Sequence, residues 1–220
     1  MREIVKNIFH LGDSGCSVYL VDTRSEDSLV LIDCGMSLSL IKDINEIGLD
    51  PLDIKHCILT HFHIDHIAAC AKLKKFNKKV KFYAHELDAE AIEEEGHDDK
   101  TAAGWYGVTY KPIKLDKYLT GDIEVLRFGD LDFQCIHIPG HTPGSIAILL
   151  ELTNPNIKIL FGQDLHGPII PGVSNFEDYQ NSLKKLLELE ADILCEGHFG
   201  IYQPKERVKN YILQYINEKK

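Results

Sequence analysis

Residues Thr60–His66 read THFHIDH, and no other stretch of this chain limits its fold so tightly. Four of the seven side chains are good metal ligands: His61, His63, Asp65 and His66. The flanks, CILT before and IAAC after, are buried-type sequence and not a solvated histidine tract. Imidazole and carboxylate groups set beside a core without compensation are costly, and a metal ion makes them acceptable. His56–Thr60 (HCILT) predicts a short buried strand, and the alternation of an extended chain then puts His61 and His63 on one side. Asp65 and His66 fall at the start of a helix predicted from about Asp65 to Phe76. Its small residues Ala68, Ala69 and Cys70 let it lie close to a sheet.

Around this block the pattern is mixed α/β. GCSVYLVDT (15–23) and SLVLID (28–33) read as two strands of a hairpin joined by RSED. Leu40, Ile41, Ile44 and Ile47 have helical spacing, closed by Gly48. A strand is predicted at Val80–Ala84. Residues 86–120 turn acidic and then aromatic, and read as helical and loop material covering the core. Strands follow at Ile123–Phe128, Leu131–Ile138, Ser145–Glu151, Ile157–Phe161 and Asp192–Cys195. Helices are predicted from about Asn175 to Leu189 and from Pro204 to about Asn217. Two strand-rich halves, each ending in helix, suggest two packed sheets with helices outside. The 220 residues are read as one domain, 1–220, with the cover at about 86–120.

Three more ligand candidates sit where predicted strands run into loops, each with glycine nearby: His141 in PGHTPG, Asp164 after ILFG, and His198 after DILCEG. Alone, each is an ordinary turn residue; the repeated placement is what points to a site. Five histidines and two aspartates, without thiolate, suit zinc, with iron or manganese as alternatives. Seven ligands exceed what one tetrahedral ion uses and suit two divalent ions sharing a carboxylate.

With HFHIDH, PGHTPGS, FGQD and EGH in this order, the chain resembles the metallo-β-lactamase fold superfamily, over a span from Asp33 to His198. The resemblance implies an αββα sandwich of two mixed sheets with helices outside. It implies one metal on His61, His63 and His141, a second on Asp65, His66 and His198, and Asp164 bridging both. It also implies that Asp33, in LIDCG, is a buried residue fixing the ligand loop. The implied activity is hydrolysis by a hydroxide that two cations generate near neutral pH, with Asp65 as the catalytic carboxylate that orients it. The substrate expected is a small thioester, ester or lactone, as in the hydroxyacylglutathione hydrolases (glyoxalase II). The basic C-terminal segment of those enzymes is not matched, since Lys205, Arg207 and Lys209 read as the exposed face of the last helix. A phosphodiesterase acting on small phosphodiesters and an iron-dependent persulfide dioxygenase are the alternatives. His63 stands where flavodiiron relatives usually have glutamate, which disfavours their chemistry. His166, Tyr202 and Trp105 are candidates for the substrate pocket. Against that stand a loop histidine bonded to backbone, and packing for the two aromatics.

Charge excludes a further class. With 34 acidic and 24 basic residues the chain carries −10, which repels a phosphate backbone. The basic run Lys72–Lys81 reads as a solvated helix end. A small-molecule substrate is expected, with no nucleic acid and no membrane partner, while a homodimer through 86–120 or an outer helix stays open. The six cysteines form no CxxC pair and read as small core hydrophobes. MREIVKNIF lacks an apolar signal core, so the expected location is the cytoplasm.

Overall fold

The computed structural model describes residues 1–13 and 15–217. These divide into two compact units, 1–119 with 128–130, and 120–127 with 131–217. Each is built on one mixed sheet with helices, the two-sheet α/β class expected from the pattern.

The first sheet runs in chain order through β1 (Arg2–Val5), β2 (Ile8–Asp13), β3 (Ser17–Asp22), β4 (Leu29–Ile32), β5 (Ile54–Ile58), β6 (Lys81–His85) and β7 (Lys117–Leu119). Pairing is antiparallel up to β4 and parallel from β4 to β7. β3 and β4 are buried throughout, which is why both read as continuous apolar runs. Helix α1 (Leu40–Glu46) turns Leu40 and Ile44 inward, as its spacing predicts. Neither β1 nor β2 was expected; they meet at Asn7, whose φ of 67° suits an asparagine turn.

The helix expected from Asp65 to Phe76 is two helices, α2 (Ile64–Ile67) and α3 (Cys70–Phe76). The break has a cause. The carbonyl of His66 accepts the N–H groups of Cys34 (2.9 Å) and Gly35 (3.2 Å), and the N–H of Ala69 is drawn to the carbonyl of Gly35. Those groups leave the helical ladder to stitch the ligand loop to the end of β4. The cover holds α4 (Glu86–Glu93), a 3-10 turn at Ala103–Tyr106 and the edge strand β7.

The second sheet is β8 (Ile123–Phe128), β9 (Leu131–His137), β10 (Ile146–Thr153), β11 (Asn156–Gln163), β12 (Ile193–Glu196) and β13 (Ile201–Tyr202), in the order β13-β12-β11-β10-β9-β8. β9, β10 and β11 are antiparallel and β12 lies parallel to β11. Its core gathers Ile136, Leu149, Leu160 and Leu194 from the strands with Leu183, Leu186 and Ile212 from α5 (Phe176–Glu188) and α6 (Lys205–Asn217). Asn175 caps α5 by accepting the N–H groups of Glu177 and Asp178. Among the described residues no helix is long and apolar enough to cross a membrane.

Candidate metal centre

In the first unit, the chain leaving the carboxyl end of β5 carries His61, His63, Asp65 and His66, all buried. The ring of His61 lies 4.8 Å from that of His63 and 4.1 Å from that of His66. Asp65 Oδ2 is 3.8 Å from His66 Nε2. Asp33, immediately after β4 and fully buried, organises this group. Its Oδ1 accepts the backbone N–H of Thr60 at 2.8 Å. Its Oδ2 accepts the Thr60 hydroxyl at 2.7 Å and His66 Nδ1 at 2.6 Å.

These bonds assign protons. His66 carries its proton on Nδ1, toward Asp33, and so presents Nε2. The Thr60 hydroxyl proton goes to Asp33, so its oxygen accepts from His61 Nδ1 at 3.1 Å, and His61 also presents Nε2. A ring nitrogen held by an oxygen acceptor is how a protein fixes the tautomer of a metal-binding histidine.

In the second unit, Asp164 follows β11, His198 follows β12 and His141 lies in the loop after β9. Asp164 divides its carboxylate: Oδ2 lies 3.3 Å from His141 Nε2 and Oδ1 lies 3.3 Å from His198 Nε2. His141 Nδ1 donates to the carbonyl of Pro168 at 2.9 Å, so it too presents Nε2. Gly197 makes room for this carboxylate, because a Cβ there would sit 2.4 Å from Asp164 Oδ1. Gln163 is held at a φ of 48°, and its carbonyl accepts the N–H groups of Leu165 and Gly197, setting Asp164 at the tip of a tight turn.

The pocket candidates have definite places. His166 Nδ1 meets a buried carboxylate, Glu196 Oε1, at 2.7 Å, and not the backbone partner considered from sequence. Its ring lies 5.0 Å from His198 and 4.7 Å from Phe199. The other oxygen of Glu196 accepts the N–H groups of His198 and Phe199 at 2.6 and 2.7 Å. Tyr202 packs on Tyr211 at 4.1 Å and donates to the carbonyl of Phe199. Trp105 is 68% exposed. Glu196 and Tyr106, which donates to Asp65 Oδ2 at 3.0 Å, were not singled out from sequence. Glu196 stands in EGH and had a positional signal, two residues before His198. Tyr106 lies 41 residues from Asp65 and had none.

All six cysteines are buried and free. Cys16 lies beside Asp33 and His66, and burial pushes its thiol up to about 12, so it stays protonated. The seven residues expected as ligands offer imidazole nitrogen and carboxylate oxygen, a donor set that fits divalent zinc and its neighbours.

Comparison with known proteins identifies the family. The sequence profile of the metallo-β-lactamase superfamily matches residues 11–198. The hydroxyacylglutathione hydrolase GloC of Haemophilus influenzae is 29% identical over 195 residues, covering 80% of this chain and 82% of that protein. The acyl-coenzyme A thioesterase MBLAC2 of Bos taurus is 26% identical over 246 residues, covering 97% and 83%. Among solved structures, a B3 metallo-β-lactamase with an active-site glutamic acid superposes with a TM-score of 0.79 at 22% identity, covering 97% of this chain and 86% of that one. The chain belongs to the metallo-β-lactamase superfamily and is one of its hydrolases.

Proposed function

We propose that the protein hydrolyses a small thioester, using two divalent ions, zinc by preference. His61, His63 and His141 would hold one ion, Asp65, His66 and His198 the other, and Asp164 both. The observation that carries the pairing of ions is the divided carboxylate of Asp164, with one oxygen toward His141 and the other toward His198. A residue serving one ion has no need to address two histidines from two oxygens. The thioester assignment is supported by two relatives whose names specify hydrolysis of acyl-thiol compounds. A net charge of −10 argues for a small substrate over a polyanion.

When bound, such ions polarise the acyl carbonyl and lower the pKa of a water. The chain supplies the rest. Asp65 accepts a proton from the attacking water at its carboxylate. Asp33 keeps the proton of His66 on Nδ1, so that Nε2 stays a donor of electrons. Water adds across the acyl C–S bond, its oxygen to carbon and its proton to the leaving sulfur. His166, whose Nδ1 proton is held by Glu196, would present its other ring nitrogen as a hydrogen-bond acceptor.

Elemental analysis with a panel of thioesters, lactones and phosphodiesters tests this. Two metal equivalents per chain and preference for thioesters are expected. Metal-loaded protein that turns over phosphodiesters and leaves every thioester intact would overturn the substrate assignment.

A further inference from the structure

The hydroxyl of Tyr106 ends on a carboxylate expected to bind metal. It donates to Asp65 Oδ2 at 3.0 Å, and that same oxygen faces His66 Nε2 at 3.8 Å. Asp65 must point one oxygen toward the space that Nε2 of His66 addresses. The tyrosine fixes which oxygen does so.

Tyr106 reaches Asp65 on firm backbone. The cover is tied to the ligand loop by the N–H of Ile64, which donates to the carbonyl of Thr101 at 2.8 Å. Thr101 and Ala103 are fully buried. Left-handed residues bracket the 3-10 turn on both sides, Ala102 at a φ of 58° and Gly107 at 64°. The N–H of Val108 closes back onto the carbonyl of Ala103, and that of Tyr110 onto Asp98 Oδ1. Tyr106 is itself 44% exposed, so its side chain adds little to the core. A hydrogen bond delivered by an otherwise exposed side chain from a rigid turn is a positioning device.

We infer that Tyr106 is a positioning residue for Asp65, holding the carboxylate in the orientation that serves the ion shared with His66. This rests on the two-ion reading above but not on the identity of the substrate. The test is Tyr106→Phe, which keeps the ring and removes only the hydroxyl. Wild type and variant are stripped of metal, their apo melting temperatures compared, and zinc titrated back against a chromophoric chelator. The expected result is an unchanged apo melting temperature and one of two zinc equivalents weakened by about tenfold or more, the range for losing a partner of a metal ligand. The visible spectrum of the cobalt-substituted variant should change at that site alone, and kcat should fall with KM little altered. Two zinc equivalents bound with wild-type affinity would overturn the inference. Absence of thioester turnover in the wild type would sink the substrate assignment and leave the zinc titration decisive for Tyr106.

Discussion

Replacing Asp33 by asparagine separates the two jobs of that residue. The carboxylate accepts three donors: the Thr60 N–H, the Thr60 hydroxyl and His66 Nδ1. Asp33→Ala leaves all three buried without an acceptor. At about 1–3 kcal/mol per stranded buried donor, the loss is about 3 kcal/mol at least. Asparagine behaves differently. Its amide oxygen must face the Thr60 N–H, because an NH2 group there would oppose donor to donor. The NH2 then occupies the place of Oδ2. It can donate to the Thr60 oxygen, whose hydroxyl rotates, and to His66 Nδ1, provided the imidazole proton moves to Nε2. Each of the three contacts keeps a hydrogen bond, with the Thr60 hydroxyl proton turning to His61 Nδ1 and the proton of that ring moving to Nε2, and asparagine tolerates the left-handed φ of 59° at this position. The apo protein should therefore lose about 1 kcal/mol or less. The ion meets an N–H where it needs a lone pair, so affinity should fall about 10–100-fold, or about 1.4–2.7 kcal/mol. Urea denaturation of the apo proteins gives the first quantity and chelator competition the second. Asp33→Asn protein that binds zinc as tightly as wild type, or that is destabilised as much as Asp33→Ala, would refute the tautomer argument.

Three further outcomes follow from the same structure. Gly197→Ala places a Cβ 2.4 Å from Asp164 Oδ1, so the carboxylate must move; metal content by elemental analysis should drop below two equivalents, and full content with wild-type turnover would contradict this. Trp105 is 68% exposed, so Trp105→Ala should change stability by less than about 0.5 kcal/mol in urea denaturation, and a larger loss would contradict this. Burial holds the His56 imidazole below its ordinary 6.5, against the opposing pull of Asp27. Between that lowered value and 6.5 the unfolded chain binds more protons than the folded one, so stability is complete above the window and is lost as pH falls through it. Melting temperatures from about pH 8 to about pH 5 should show this slope, and His56→Gln should flatten it.

How legible these features were depended on range. The ligand loops showed because each is local: alternation at His61 and His63, and glycine beside His141, Asp164 and His198. Buried strands such as β3, β4 and β10 showed as apolar runs. β1, β7 and β13 are short edge strands, with charges in β1 and β7, and gain their structure from pairing partners, so their own residues carry little pattern. The break between α2 and α3 was hidden for the same reason, since the groups that interrupt the ladder, Cys34 and Gly35, lie some 30 residues away. Tyr106 was the least legible of all. Its neighbour Trp105 was the conspicuous aromatic, and only the geometry of the turn decides which of two adjacent rings points at Asp65.

Two buried residues other than glycine adopt left-handed backbone next to the ligand groups, Asp33 at a φ of 59° and Gln163 at 48°. Each such residue costs about 1–2 kcal/mol relative to ordinary backbone, and glycine would remove the cost at both. At Asp33 the reason glycine cannot serve is visible, because the side chain is the acceptor that fixes His66 and Thr60. At Gln163 the backbone is the working part: its carbonyl gathers two N–H groups and turns the chain within one residue, so that Asp164 faces His141 and His198 together. A glycine there would reach the same φ but also many others, and the carboxylate would lose the single orientation that lets its two oxygens address two histidines. Strain of this kind persists where surrounding bonds over-determine the conformation. Its occurrence at the end of β4 and at the end of β11, and on both occasions one residue or one hydrogen bond from a ligand, ties it to the orientation of the ligands more directly than to the stability of either sheet.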